Sequence, residues 1–290
     1  MKAKTLVTSI LAAALLATTA MTAGAEETNG FVTVVVEKTT LGEGFVVEPV
    51  QVALEEGDTG LDIVKRAAEA SGTEVVYSET DYGPYITAFS DEEGENGVNL
   101  PDEIAAVVTE LSGRTAEGYL SAYDYTAESG WSYFVNDEYA MSGIGDYIPA
   151  DGDVIRFSFT IYGYGADLGV DNSSWGGAAA LITPANKADL TRLCAQFNSD
   201  DDDKIYDYTN AMEVLAYYGA TQQEVDEAYA VLAGTGDSAP QSGEAGGNSG
   251  DTADGSADKG SPDTGVEGVA VIGALAILAG AALAVSKRRA

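Results

Sequence analysis

The chain has 290 residues, with 47 acidic and 14 basic side chains and a formal net charge of −33 at pH 7. Such a charge repels nucleic-acid phosphates and anionic lipids, so neither is expected as a partner. Histidine is absent and Cys194 is the only cysteine, which excludes an imidazole base, a histidine-dependent nucleophile and a disulfide within the chain.

The first 25 residues have the pattern of a secretory signal peptide. Lys2 and Lys4 precede the apolar stretch 6–20, and Ala23-Gly24-Ala25 supplies the small residues that signal peptidase requires. We therefore predict that residues 1–25 are a signal peptide cleaved by signal peptidase after Ala25. The alternative is that this segment is retained as a membrane anchor.

Residues 31–165 are rich in Val, Tyr, Ile and Phe and are long enough to form one hydrophobic core. A helix is predicted after Gly57, where Asp58 or Thr59 can cap the free N–H groups. β-Branched content and alternation predict strands at 31–37, 45–54, 75–77, 85–89, 131–139 and 154–162.

A second helix is predicted from Pro101 to Gly113. Proline favours the first helical position, and Asp102 and Glu103 suit the positive end of the helix dipole. Strands, helices and then strands indicate an α+β domain, with a β-grasp-like mixed sheet and two helices. The expected buried stripe of the second helix is Ile104, Val107, Val108 and Leu111.

The segment GIGDYIPADGDVIRF, residues 143–157, concentrates aspartate, glycine and proline before the last strand. A calcium loop and an acid/base pair are alternatives to a simple turn. Pro149-Ala-Asp-Gly152 is a turn sequence, because proline suits its start and Asp-Gly tolerates positive φ. We therefore predict that Asp151 and Asp153 hydrogen-bond the turn backbone and hold no metal.

Aromatic side chains are concentrated on the strand that begins at Trp131. Trp131 and Tyr133 share one face of this strand, while Ser132 and Phe134 share the other. One face belongs to the core, and the other could present rings to a flat ligand. Alternation leaves open whether both faces are covered. Other aromatic residues expected nearby are Tyr82, Tyr85, Tyr139 and Tyr147.

Residues 185–234 have a helical pattern and are predicted to form a small three-helix bundle. Cys194 shares an apolar face with Leu190 and is expected in the core, and Thr221-Gln-Gln-Glu224 is a capping box. The acidic run 198–203, including Asp200–Asp203, is expected to be an interhelical loop, with calcium binding as the alternative. The sequence at 208–232 is similar to the FIVAR-type modules of Gram-positive surface proteins. This resemblance covers residues 185–234 and implies a spacer or interaction module.

The C-terminal part is predicted to be a disordered linker over residues 235–260 and a sorting signal over residues 261–290. The apolar run 268–285 is long enough for a transmembrane helix, and basic residues follow it. The pentapeptide SPDTG at 261–265, which precedes this run, resembles the sortase motif of Gram-positive cell-wall proteins. Ser261 stands at the usual leucine position. This resemblance implies cleavage between Thr264 and Gly265 and covalent attachment to peptidoglycan. The motif residues are Ser261, Pro262, Asp263, Thr264 and Gly265.

Residues 31–162 resemble the C-terminal β domain of the transcobalamin and intrinsic factor family, in its bacterial branch. The resemblance is carried by WSYFVN at 131–136, GDYIP at 145–149 and DGD at 151–153, with EGDTGL at 56–61 and GPYI at 83–86 upstream. The large helical barrel of the vitamin carriers has no counterpart in this sequence. The resemblance implies that the ligand-facing positions are Trp131, Tyr133, Gly143, Gly145 and Tyr147.

These features predict a secreted binding protein, anchored to the cell wall, that captures a small ligand. Cobalamin or another corrinoid is the expected ligand by resemblance. The resemblance implies that backbone groups and aromatic rings hold this ligand, and no cofactor beyond it is required. The alternative function is a non-enzymatic adhesin or structural surface protein that binds host or wall glycans or proteins. An enzyme is not expected, because no nucleophile–base pair can be recognised in the sequence.

Overall fold

The computed structural model describes residues 29–81, 83–91, 98–197 and 204–235. The predicted signal peptide with Ala25, the sorting motif at 261–265 and the span 268–285 lie outside these residues. So do the linker beyond Thr235 and the acidic run 198–203. Within the described ranges, no helix combines the length and apolar character needed to cross a bilayer.

Two sheets and five α-helices make up the described residues, which confirms the α+β class. The elements in chain order are β1 (Phe31–Glu37), β2 (Phe45–Ala53), α1 (Gly60–Ala70), β3 (Val75–Thr80), β4 (Gly83–Ser90), α2 (Asp102–Ala105), β5 (Tyr119–Ser121), β6 (Gly130–Val135), β7 (Glu138–Tyr139), β8 (Val154–Thr160), α3 (Ala188–Ala195), α4 (Ile205–Ala216) and α5 (Gln222–Leu232).

The larger sheet is mixed, with strand order β2-β1-β8-β6-β7. The first and last strands of the domain, β1 and β8, lie side by side and parallel at its centre, while β1–β2 and β6–β8 pair antiparallel. All seven residues of β8 are buried, which is typical of a strand covered on both faces. The smaller sheet has the antiparallel order β3-β4-β5.

One face of the larger sheet and helix α1 enclose the main core. Alternate residues of β1 and β8 point into this core, and Ile63, Val64 and Ala67 of α1 pack against them. Thr59 caps α1 and forms a capping box with Asp62. Thr59 was one of the two candidate caps predicted for this helix. The strand residues in this core are Val32, Val34, Val36, Val47, Val52, Ile86, Phe89, Leu120, Trp131, Ile155, Phe157 and Phe159.

Helices α3, α4 and α5 pack together around a second apolar cluster, as the sequence predicted. Thr221 and Glu224 form the expected capping box, and the thiol of Cys194 is buried in the cluster, where burial raises its pKa to about 12. Helix α3 also packs against β1, β2 and β8. The helical segment therefore covers the second face of the larger sheet, a contact that its sequence pattern does not reveal.

The predicted second helix is wrong in length. Helix α2 ends at Ala105, and Val107 and Leu111 of the expected buried stripe are exposed. The β-branched run Val107-Val108-Thr109 disfavours a continuing helix, and the chain instead runs to Ser112, whose N–H donates to the carbonyl of Tyr125 at 2.8 Å.

The strand predicted at 131–139 is also interrupted. Asn136 and Asp137 have φ of 51° and 65° and form a two-residue hairpin turn between β6 and β7. Positive φ at both positions matches the twist of the flanking strands, and Asn and Asp tolerate it better than most residues.

Asp167 closes the glycine-rich loop after β8. Its carboxylate accepts the N–H groups of Ile161 at 2.8 Å and Tyr162 at 3.2 Å, together with the hydroxyl of Thr160. Gly163, Gly165 and Gly169 all have positive φ. The segment is thus a tight turn built around a buried carboxylate, with a short 3-10 helix at Ala166–Leu168.

Replacement of Asp167 by asparagine should change how stability depends on pH. Burial raises the pKa of Asp167 from 3.8 to about 6, so the folded chain binds this proton more tightly than the unfolded chain does. The contribution of Asp167 to stability is therefore full below about pH 4 and is lost as pH rises through about 6. Asparagine does not titrate but still accepts the N–H bonds. Between pH 4 and pH 7, urea unfolding should show the variant gaining about 1–3 kcal/mol relative to the wild type. A difference that stays constant with pH would contradict this prediction.

Candidate functional site

The loop from Gly143 to Tyr147 is docked on the first turn of α1. The N–H of Gly60 donates to the carbonyl of Tyr147 at 2.8 Å, and the N–H of Leu61 donates to the carbonyl of Ile144 at 3.1 Å. These are free N–H groups at a helix start, so the loop carbonyls satisfy donors that the helix cannot. A Cβ on Gly60 would lie 2.7 Å from Cδ1 of Ile144, so glycine permits this close approach.

Asp151 and Asp153 hold the turn that follows this loop. Asp153 accepts the N–H of Ala150 at 2.8 Å and Nδ2 of Asn136 at 2.8 Å. Asp151 accepts the N–H of Phe31 at 2.9 Å, and Gly152 has φ of 84°. The predicted turn and the predicted bonding of Asp153 to the turn backbone are therefore confirmed. Asp151 instead accepts from the backbone of the first strand.

A groove of about 180 Å³ opens between β6, β7, the start of β4 and the loop after β7. Three tyrosine side chains surround its opening, and we name it the tyrosine groove. Its lining residues are Pro84, Tyr85, Ile86, Trp131, Ser132, Tyr133, Tyr139, Ala140, Ser142, Gly143, Ile144 and Phe157.

Tyr133 is held rigidly in the tyrosine groove. Its ring stacks on Phe157 with centroids 5.4 Å apart, and its hydroxyl donates to the carbonyl of Ser142 at 2.5 Å. Burial raises the pKa of Tyr133, so the ring is a neutral phenol at physiological pH. A ring fixed in this way loses little conformational entropy when a ligand packs against it.

Tyr85 and Tyr139 form the exposed walls of the groove. Tyr85 is 41 % exposed and Tyr139 is 42 % exposed. The hydroxyl of Tyr85 lies against the backbone at Gly130, where a Cβ added to the glycine would be 3.0 Å from the hydroxyl oxygen. Burial raises the pKa of Tyr85. The ring of Tyr139 packs edge-on against Phe134 at 5.6 Å. Both rings are anchored on one side and open to solvent on the other.

Trp131 lies in the hydrophobic core, with only 6 % of its surface exposed. Its ring packs edge-on against Phe89 at 4.7 Å and Phe159 at 5.1 Å, and its Nε1 donates to the carbonyl of Leu120 at 3.1 Å. It is one of the residues that line the tyrosine groove. The indole therefore offers no free face on which a ligand could stack in this structure.

The tyrosine groove brings together three of the five ligand positions predicted from the sequence, namely Trp131, Tyr133 and Gly143. Gly145 instead packs against Pro84, where an added Cβ would lie 2.5 Å from Cγ. The hydroxyl of Tyr147 donates to Asp153, and burial together with that bond raises the pKa of Tyr147. Gly145 and Tyr147 are thus in the loop next to the groove but are not among the residues that line it.

The sequence prediction missed the contribution of Tyr85 and Tyr139 to the walls of the groove. Both were among the aromatic residues expected near the strand that begins at Trp131. However, no local sequence pattern predicts that their side chains line the same groove. The two-residue turn at 136–137 returns Tyr139 beside Phe134, and the smaller sheet carries Tyr85 to the same place. The turn residues Asn136 and Asp137 were the one local sequence signal that could have predicted the position of Tyr139 beside Phe134.

A second concavity, of about 490 Å³, lies on the exposed face of the smaller sheet, and we name it the sheet-face depression. It shares Tyr85 with the tyrosine groove. Its lining residues are Val76, Ser78, Tyr85, Thr87, Ala88, Ala116, Tyr119, Ser121, Ala122 and Tyr123.

Comparison with known proteins gives a family match and a remote structural similarity. Residues 108–160 match the family described as "Domain of unknown function (DUF4430)", a segment that includes β5 to β8. No curated protein matches the chain. Among solved structures, the chain is similar to haptocorrin in complex with Cbi, at 17 % identity and a TM-score of 0.31. That similarity covers 46 % of this chain and 25 % of the haptocorrin chain, so this chain spans about a quarter of that protein.

Proposed function

We propose that this chain is an extracellular, non-catalytic binding protein that captures a small ligand in the tyrosine groove. The observation that carries the proposal is that Tyr85, Tyr133 and Tyr139 line one groove together with Ser142 and Gly143. Aromatic rings supply apolar contact area, and phenol hydroxyls can exchange hydrogen bonds with a ligand. This combination suits a flat ligand with polar groups at its edge.

The ligand that we propose is cobalamin or another corrinoid. The support is the sequence resemblance of residues 31–162 to the β domain of the vitamin carriers, together with a groove that offers rings and backbone groups at one edge. Typical ligand pockets hold roughly 300–1,000 Å³, whereas this groove holds about 180 Å³. Only one edge of a corrinoid would enter it, and the remainder would rest over Tyr85 and Tyr139.

We also propose attachment of the mature chain to the cell wall. The support is the order of the sequence features: a signal peptide ending at Ala25, a sortase-like motif with Thr264 and Gly265, an apolar run and a basic tail. Signal peptidase and sortase would act during processing, and peptidoglycan would be the covalent partner. The FIVAR-like helical segment would then support the binding domain, since α3 packs directly on its sheet.

Titration of residues 26–264 with cyanocobalamin, followed by calorimetry and absorption spectroscopy, tests the ligand. We expect saturable heat and a spectral shift. Tyr139→Ala should weaken binding by about 1 kcal/mol or more, because it removes an exposed wall of the groove without opening the core. Tyr206→Ala is the matched control, because Tyr206 is an exposed tyrosine on α4, outside the lining of the groove. Absence of heat and of any spectral change at high micromolar ligand would reject the corrinoid assignment.

A further inference from the structure

We propose that the sheet-face depression is a second binding site, which takes a neutral carbohydrate chain by stacking pyranose rings on Tyr123 and Tyr85. This site does not depend on the function proposed for the tyrosine groove. The depression is bounded by Tyr123 on one side and by the uncovered face of β3 and β4 on the other. Its volume, about 490 Å³, lies within the usual range of ligand sites.

Tyr123 is held in a strained backbone conformation that presents its ring to solvent. Its φ is 71°, in the left-handed region that L residues with large side chains rarely adopt, and its side chain is 65 % exposed. Strain of this kind persists only where the surrounding structure enforces it, and it is concentrated at functional sites.

The buried carboxylate of Asp124 enforces the strained loop. One of its oxygens accepts the N–H and the hydroxyl of Thr115 at 2.6 and 2.7 Å, and the other accepts the N–H of Ser121 at 2.7 Å. The N–H of Tyr123 donates to the carbonyl of Ser129 at 3.1 Å. The loop is therefore tied on both sides of Tyr123, so its backbone position is fixed before any ligand arrives.

The lining of the depression matches an uncharged ligand with both apolar and hydroxyl-bearing faces. Ala88, Ala116 and Ala122 give a shallow floor, and hydroxyls are supplied by Ser78 and Ser121. Among the residues that line it in the described part of the chain, none is charged. A chain with a net charge of −33 would repel acidic sugars in any case.

A pyranose ring has the two properties that this surface requires. Its C–H face packs on an aromatic ring, and its hydroxyls at the rim exchange hydrogen bonds with serine, threonine and tyrosine side chains. The depression lies open along a sheet face, which favours successive sugar units of a chain over a single enclosed molecule. These features distinguish it from the smaller tyrosine groove, where buried rings and backbone groups converge.

The test is calorimetric titration of the full chain, purified in mild detergent, with chitohexaose, cellohexaose and maltohexaose as probes. We expect at least one probe to bind with micromolar to low millimolar affinity. Tyr123→Asn should weaken that binding about tenfold or more, because it removes the ring but retains a residue that tolerates positive φ. Tyr206→Ala should leave the affinity unchanged. Failure of all three probes to bind, or equal binding by Tyr123→Asn, would overturn the proposal.

Thermal unfolding of the Tyr123 variants separates a binding role from a structural one. If Tyr123 is held for binding, relief of its backbone strain in Tyr123→Gly should raise the unfolding temperature by about 1–4 °C while sugar binding is lost. A lower unfolding temperature in both Tyr123→Gly and Tyr123→Asn would instead show that the ring supports the fold, and would contradict the proposal. Cyanocobalamin binding should be unaffected in either variant, so failure of this site and of the tyrosine groove can be told apart.

Discussion

Replacement of Asp91 by alanine should lower the free energy of unfolding by about 3–5 kcal/mol, because it leaves buried cations without their main counter-charge. Both oxygens of Asp91 accept from Nζ of Lys38, at 2.8 and 2.9 Å, and one also accepts from Nη2 of Arg114 at 2.7 Å. Lys38 is only 2 % exposed, and Glu43 is its other carboxylate partner, at 2.8 Å.

The position of the Asp91 cluster explains the expected size of this effect. Lys38 directly follows β1 in the larger sheet, and Asp91 directly follows β4 in the smaller sheet. Arg114 also donates to the carbonyl of Asp91 at 2.7 Å and to the hydroxyl of Tyr125 at 3.0 Å. The cluster therefore joins the two sheets to the loop that leads to β5, and its loss would loosen all three.

Urea unfolding of Asp91→Ala and of a matched control tests this prediction. Asp189 also pairs with an arginine, Arg192, at 2.5 Å, but its side chain is 79 % exposed. An exposed pair contributes about 0–1 kcal/mol, so Asp189→Ala should have a small effect. Similar losses for the two variants would show that burial of the Asp91 cluster does not determine its contribution.

Replacement of Arg156 by methionine should also lower the free energy of unfolding by about 3–5 kcal/mol, because it leaves buried carboxylates without their cation. Arg156 lies on the face of the larger sheet opposite the main core. Arg156 is buried between two carboxylates: Nη1 lies 2.9 Å from Oε1 of Glu37, and Nε lies 2.8 Å from Oδ1 of Asp137. Its guanidinium also lies over the ring of Phe134, with Cζ 4.5 Å from the centroid. Methionine fills similar space but leaves both carboxylates buried without this partner.

A double-mutant cycle with Glu37→Gln separates the ion pair from general packing. If the Arg156 variant is unstable because Glu37 retains an uncompensated charge, neutralising Glu37 in the same chain should recover about 0.5–3 kcal/mol. Guanidinium unfolding of the wild type, both single variants and the double variant gives this coupling. Strictly additive losses would rule out the electrostatic explanation.

The Arg156 network also links the sheet to the helical segment. The second oxygen of Asp137 accepts the N–H of Lys187 at 2.5 Å, immediately before α3. Nζ of Lys187 in turn donates to the carbonyls of Leu215 and Tyr217 at 2.8 and 2.9 Å, at the end of α4. Desolvation lowers the pKa of Lys187 to about 8. The helical segment is thus attached through buried polar groups as well as through α3 packing.

Local chemistry was enough to predict several elements of this chain. The capping box at Thr221 depends on residues three positions apart, Thr59 was one of two candidate caps for α1, and the turn before β8 depends on Pro149 and Gly152. The β-branched runs predicted β1 and β8. In each case the interacting groups are neighbours in sequence, so their conformational preferences can be recognised without knowledge of the fold.

The candidate sites depend on contacts that no local pattern contains. Tyr85 and Tyr139 meet at the tyrosine groove only because a two-residue turn reverses β6 and the smaller sheet carries Tyr85 across to it. Trp131 lies in the core because Phe89 and Phe159, distant in sequence, pack on it from both sides. Alternation assigned Trp131 and Tyr133 to one face correctly, but it could not decide which ring would remain accessible.

The sequence by itself determined the α+β class, the two apolar clusters, the starts of α1 and α5 and the turn that leads into β8. It also excluded histidine chemistry and internal disulfides, since these depend on composition alone. The tertiary structure decided where α2 ends, that the helical segment covers the larger sheet, and which aromatic rings remain exposed. Those outcomes depend on competition for burial between segments far apart in the chain, and on buried charges such as Asp91 and Arg156 whose partners are distant in sequence.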